Sequence, residues 1–349
     1  MSHLKIIGNT IVKKKIIEDI GRRKFLTETG MAFAAFAGFA VNFNGCSGLT
    51  NETINIFHEK KQKQLMEADM AVEKIFDTGK VKINYLETGQ LSGTPIVMLH
   101  GGAWCWQEYI SLIPGLSETH HIYALDLRGN GKSGWVSDQY KLENFTDDGI
   151  AFINQFRIPA VLIGHSIGGV IALMVAARCP SKVKSIIIED IPLTIDHYNE
   201  VVELSREMFD IWLKLKKSVQ SRDELSLALA KEFGNYPGVT SQWLMFFAEC
   251  LLQLDPTFFN QLLYHFEDFT RGYDYKEILN QIKCPIMFIR GETKLGAIMT
   301  DDEINWLRGN FKNITCVDIP GVGHLLHMQE QGALPIKNEI MNFLKINNA

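Results

Sequence analysis

The stretch AVLIGHSIGG, residues 160–169, runs four apolar residues into Gly164-His165-Ser166-Ile167-Gly168-Gly169. The apolar run reads as a strand buried on both faces, and a helical pattern begins at Ile167. A G-x-S-x-G pattern by itself also fits any tight turn, because glycine and serine are common. Between a buried strand and a helix it carries more information. The turn holds Ser166 in a strained conformation that small flanking residues permit. It also sets that serine at a helix N-terminus, where free N–H groups favour an oxyanion. Ser166 is therefore the candidate nucleophile.

Working outward, further apolar runs bracket this one: PIVMLH (95–100), HIYALDL (121–127), VKSIIIED (183–190), PIMFIRGE (285–292) and ITCVDIP (314–320). Helical patterns at 142–157, 168–178 and 334–345 fill most of the gaps. Strands alternating with helices predict an α/β fold, a mostly parallel sheet covered on both faces. Two alternating segments, AVEKIFDTG and KVKINYLETG, predict a leading hairpin that turns at Gly79-Lys80. One interval is out of scale. Residues 194–283 contain no convincing strand and carry helical periodicity rich in aromatics and Met, which predicts a helical insertion acting as a cap.

Sites in open parallel sheets form at the carboxyl ends of strands. HGGAW (100–104) follows one strand, and its glycines let a backbone N–H approach a reacting carbonyl. That N–H, with the N–H of Ile167, would complete an oxyanion hole. DLRGNGKS (126–133) reads as structural support. GVGHLLHM places His324 after the last strand, in the chain order serine, acid, histidine. Its neighbour His327 is expected only to pack nearby.

Composition excludes other classes. The 349-residue chain has 35 Lys and Arg against 40 Asp and Glu, a formal charge of −5. Its short basic clusters lack interleaved aromatics, so nucleic acid is not an expected partner. The cysteines at 105, 179, 250, 284 and 316 are scattered, suggest neither metal site nor disulfide framework, and read as buried free thiols. No cofactor is expected. Near the N-terminus, Arg22-Arg23-Lys24-Phe25-Leu26 resembles a twin-arginine export signal, with a short apolar stretch from Gly30 to Phe43 behind it. Gly45-Cys46 resembles a lipoprotein cleavage site, although Phe43 and Asn44 depart from the usual residues. These features predict a signal over 1–46, a spacer over 47–70, an exported or periplasmic protein, and membrane anchoring through a lipidated Cys46.

HGGAW, DLRGNGKS, GHSIGG and PGVGHLLH, in that order over 71–349, resemble the α/β-hydrolase superfamily. The resemblance implies a core of 71–193 and 284–349 with a cap at 194–283. It implies Ser166 as nucleophile and His324 as general base, with an oxyanion hole from the N–H groups of Ile167 and of Gly102 or Ala103. The loop that usually supplies the triad acid, of pattern G-x-x-D, here reads Gly291-Glu292-Thr293-Lys294, and lysine cannot accept the imidazole N–H. In some members, the haloalkane dehalogenases among them, the acid follows the strand before the cap. Asp190 in IIIEDIPL (186–193) falls there. Asp190 is the preferred acid, with Glu292 its rival and Asp301 or Asp302 behind them. Glu189, adjacent in the strand, points to the other side and is expected to be solvated or to touch the cap.

A serine at the elbow sets this chain apart from the dehalogenases and epoxide hydrolases, which use aspartate there. Cleavage of a carboxylic ester or thioester through an acyl-Ser166 intermediate is the most economical reading. Trp104, Trp106 and the aromatic cap suggest a small, largely apolar substrate, with Trp104 and His165 as candidate contacts. Carbon–carbon bond hydrolysis and cofactor-free haloperoxidase chemistry fit the same motifs. A ligand-binding protein that has lost turnover is the reading of another class.

Overall fold

The computed structural model describes residues 71–234 and 240–349, so the predicted signal and spacer at 1–70 lie outside the described residues. The strands are β1 (Val72–Asp77), β2 (Lys82–Gly89), β3 (Pro95–Leu99), β4 (His121–Leu125), β5 (Ala160–His165), β6 (Val183–Glu189), β7 (Ile286–Arg290) and β8 (Ile314–Asp318). They form one sheet in the order β1-β2-β4-β3-β5-β6-β7-β8. β1 pairs antiparallel with β2 and β2 with β4, while every pairing from β4 to β8 is parallel.

The strand sequences explain their place. In β3 and β5 every residue is buried, as a parallel strand covered on both faces requires. Alternate residues serve different cores. Val97, Leu162, Ile186 and Ile188 join one; Ile96, Met98, Ile163 and Ile187 join the other. α1 (Ile113–Ser117) supplies Ile113 and Leu116 to the second core, and α3 (Ile167–Arg178) supplies Val170 and Ile171 to the first. α2 (Leu142–Ile153) packs with α3. The chain thus leaves β3 on one face and β5 on the other. Because β4 and β5 flank β3 on opposite sides, a crevice opens at the carboxyl ends of β3 and β5.

The interval between β6 and β7 is helical where it is described: α4 (Ile195–Ser218), α5 (Arg222–Phe233), α6 (Ser241–Gln253), α7 (Thr257–Tyr264), α8 (Phe266–Phe269) and α9 (Tyr275–Gln281). Thr194 caps α4 by accepting from the His197 N–H at 3.1 Å. The buried Glu303 carboxylate receives the N–H of Leu193 at 2.9 Å and pairs with His197 at 2.9 Å, fixing the angle at which the cap departs. Phe209, Trp212, Phe247 and Phe259 pack together inside this layer. α10 (Asp301–Asn310) and α11 (Glu330–Ile346) complete the fold.

Ile187 is central to its core and fully buried. Ile187→Ala should lower unfolding free energy by about 2–5 kcal/mol. Leu91→Ala, at a 79% exposed site, should change it by less than about 0.5 kcal/mol in the same urea titration.

Candidate active site

The elbow is built by close approach of backbone. A Cβ on Gly164 would sit 2.3 Å from the Gly168 carbonyl oxygen, and one on Gly168 would sit 2.0 Å from that of Leu99. Any side chain at either position would push β3, β5 and α3 apart. Between these glycines Ser166 takes φ 52° and ψ −125°, outside the regions that L-residues favour. Such a conformation costs on the order of 1–3 kcal/mol and persists only when its surroundings hold it. Here the Ser166 N–H donates to the Glu189 carbonyl at 2.9 Å, binding the elbow to the end of β6.

The 100–104 loop lies against this elbow. Ala103 has φ 65°, and a Cβ on Gly102 would lie 3.9 Å from the Ile167 side chain and 3.6 Å from Phe258 of α7. Gly102, Ile167 and the cap therefore meet. His100 fixes the loop from beneath: its Nε2 accepts the Leu127 N–H at 2.9 Å, so its Nδ1 donates to the Gly101 carbonyl at 2.6 Å. Asp126 accepts from the N–H groups of Trp106 and Lys132 and from Asn84, which is structural support.

His324 is brought in by the turn after β8, where Gly321 has φ 76°. Its ring lies 4.6 Å from that of His165, the residue preceding Ser166. Its Nδ1 is 2.7 Å from Asp190 Oδ2. Asp190 ends β6 with φ 46°, and its two oxygens also accept the N–H groups of Ile298 and Met299 at 2.8 and 2.9 Å. A carboxylate so held makes His324 Nδ1 the donor and leaves Nε2 to accept a proton. Burial, reinforced by the charge of His165, lowers the His324 pKa and keeps the imidazole neutral.

The other carboxylates are engaged elsewhere. Glu292 accepts the Gly321 N–H at 2.7 Å and pairs with Lys294 at 2.5 Å, so it holds the turn that carries His324. Asp301 pairs with Arg290. Asp302 is exposed at the start of α10.

Three sequence expectations need correction. Glu189 neither meets solvent nor touches the cap: it is fully buried and lies 2.6 Å from His327 Nδ1. His165 is not a substrate contact. It too is fully buried, its Nε2 donates to the His324 carbonyl at 2.9 Å, and its Nδ1 forms a 2.6 Å ion pair with Glu108. Trp106 lies in the core on the far face and donates to Glu73, whereas Trp104 packs against Trp243, Phe246 and Phe247 of α6.

Glu108 escaped sequence reading entirely. Besides pairing with His165, it accepts the Gly101 N–H at 2.8 Å, which ties the 100–104 loop to the elbow. With Glu189 and His327 it completes a buried set of two carboxylates and two imidazoles. Burial alone would depress the His165 pKa. The charge of Glu108, its contact with that ring and the charge of Glu189 outweigh burial and raise it to about 9. Burial would raise that of Glu108, but the opposing pull of His165 lowers it. Among the described residues no group of His, Cys, Asp and Glu has the makings of a metal site.

Residues 94–331 match the alpha/beta hydrolase fold family. The chain belongs to that family. A Haemophilus influenzae protein, whose name marks it provisionally as an esterase/lipase, is 24% identical over 74% of this chain and 86% of its own length. The 2-(acetamidomethylene)succinate hydrolase of Mesorhizobium japonicum is 23% identical over 75% and 93%. Six further curated relatives are matched over 29–40% of their length. Among solved structures, an E-2-(acetamidomethylene)succinate hydrolase superposes with a TM-score of 0.64 at 20% identity, covering 79% of this chain and 99% of that one. The naproxen esterase of Bacillus subtilis gives 0.59 at 18% identity, covering 85% and 100%. At these identities the likeness establishes the fold.

The His165–Glu108 pair gives this hydrolase a pH-dependent stability. The folded-state pKa of His165 is raised, so its contribution is complete below about 6.5 and lost as pH rises through about 9. Glu108 acts oppositely: its contribution is present above about 4.5 and lost as pH falls through its depressed pKa. The melting temperature should decline between pH 6.5 and 9. His165→Asn should melt lower at every pH but lose much of that slope; an unchanged slope would assign the dependence to other groups.

Proposed function

We propose that this hydrolase cleaves a carboxylic ester or thioester of a small, largely apolar substrate through an acyl-Ser166 intermediate. The observation that carries the proposal is the juxtaposition of a strained Ser166 elbow with a buried, neutral His324 whose Nδ1 is held by Asp190. In this reading Ser166 Oγ attacks the carbonyl while His324 Nε2 removes its proton. The N–H groups of Ile167 and of Gly102 or Ala103 receive the developing oxyanion. His324 then protonates the departing alcohol or thiol, and a water activated by the same imidazole releases the acid. Asp190 keeps the tautomer correct and stabilises the imidazolium. Trp104 stacks on Phe246 of α6 and Phe258 lies against Gly102, and these apolar neighbours of the 100–104 loop favour an apolar acyl or alcohol group.

Carbon–carbon bond hydrolysis is the second reading. The 2-hydroxymuconate semialdehyde hydrolase of a Pseudomonas species, 30% identical over 31% of this chain and 39% of its own length, favours it. The same serine, imidazole and oxyanion donors would serve. The His324–Asp190 pair beside the Ser166 elbow supports turnover over a ligand-binding role.

A panel of p-nitrophenyl esters and a ring-cleavage dienone, combined with a fluorophosphonate probe, separates these readings. The probe should label Ser166 alone, and Ser166→Ala should abolish both labelling and turnover. His324→Ala should lower kcat by roughly 10³-fold or more, and Asp190→Asn by up to about 10⁴-fold with the fold intact. Glu292→Gln should retain most of the activity. A crippled Glu292→Gln beside a nearly normal Asp190→Asn would move the acid to the 291–294 loop. A folded protein that no probe labels would leave the binding role.

Export by the twin-arginine route, with acylation at Cys46, is proposed on the Arg22-Arg23 and Gly45-Cys46 signatures. Changing Arg22-Arg23 to Lys-Lys should trap the enzyme in the cytoplasm. Mass spectrometry of the exported protein should find a lipid-modified Cys46 at its N-terminus; any other start removes the anchor.

A further inference from the structure

Cys105 and Cys250 are 145 residues apart in sequence, yet their sulfurs lie 2.7 Å apart. Cys105 directly follows the 100–104 loop, and Cys250 lies on α6 of the cap. The chain holds six cysteines, and these two are the buried ones among those described; Cys179, Cys284 and Cys316 are more exposed. A disulfide needs a sulfur separation of about 2.0 Å, so closing the bond asks for less than about 1 Å of movement.

We propose that Cys105 and Cys250 form a disulfide that staples the cap to the segment carrying the oxyanion loop. Both thiols are free in this structure. The oxidant is a reactive disulfide of the kind supplied by a thiol–disulfide oxidoreductase or oxidised glutathione. One cysteine thiolate attacks it, forms a mixed disulfide and releases one thiol. The second thiolate attacks the protein-side sulfur, forms the Cys105–Cys250 bond and releases the other thiol. The two cysteine protons end on the two released thiols.

Burial raises the pKa of both thiols, Cys105 well above its ordinary range, so the packed pair is a poor nucleophile. Exchange therefore takes place as the cap settles on the core during folding, and the finished bond is shielded from reductant. Because the bond closes a long loop and spans two layers, it restrains cap opening over Ser166.

The test needs no substrate and so stands or falls separately from the proposed esterase activity. The full chain is produced by secretion into an oxidising compartment and, in parallel, refolded from urea in a reduced/oxidised glutathione buffer. Thiols are then counted in denaturant, and non-reduced peptides are mapped by mass spectrometry. Expected is a loss of two thiols relative to the reduced protein and one cross-linked peptide joining Cys105 to Cys250. Cys250→Ser and Cys105→Ala should each restore one thiol relative to the oxidised protein and eliminate that peptide; Cys179→Ser should leave it in place. A full thiol count in both preparations, glutathione on a single cysteine, or a cross-link through Cys179, Cys284 or Cys316 would each overturn the proposal.

Discussion

The end of β6 places two carboxylates, Glu189 and Asp190, side by side where neither has any exposure to water. An isolated buried charge is prohibitively costly, so each acid must be given a partner. Glu189 is the last residue of β6, and Asp190 turns out of the strand with φ 46°, so the two carboxylates reach different partners. A single short turn solves this, supplying His324 to Asp190 and His327 to Glu189. The position of that turn is thereby fixed at two points, and both rings lie beside that of His165. Removing either histidine leaves a buried carboxylate without that hydrogen-bond partner, which is destabilising.

The remainder of the site hangs on this arrangement. The Glu189 carbonyl receives the Ser166 N–H, so the strand end that binds the two histidines also supports the strained elbow. His165 donates to the His324 carbonyl and pairs with Glu108, which in turn holds the Gly101 N–H. Three loops from three strands, those after β3, β5 and β8, are linked through buried polar contacts. Such networks are stabilising only when their members satisfy one another, and they then define a single geometry. Strain at Ser166, Ala103 and Asp190 is concentrated where these loops meet, each having a positive φ.

The cap obeys a different rule. It is held by apolar aromatic packing with a few specific ties, among them Glu303 to the N–H of Leu193 and Tyr140 to Asp255 at 2.6 Å. Packing of this kind is less directional than the buried polar contacts that join the loops after β3, β5 and β8. The adjacency of Cys105 and Cys250 lies on the boundary between the core and this helical layer.

What the sequence alone determined is what depends on near neighbours. The buried strands declare themselves as short apolar runs, the helical insertion by its periodicity, and the elbow by glycines two residues either side of Ser166. Each rests on backbone sterics or on alternation along one segment. The tertiary structure decided which charges meet. Nothing local distinguishes Glu189, paired in a core, from a strand-end acid in water, and nothing in WQEY marks Glu108 as the residue joining two loops. The same holds for Asp190 and Glu292: both follow strands and both are acids, yet only Asp190 reaches His324 while Glu292 turns to Gly321 and Lys294. Pairing of buried charge and approach of distant thiols are set by distances across the sheet and between layers. Those distances exist only once the chain has folded.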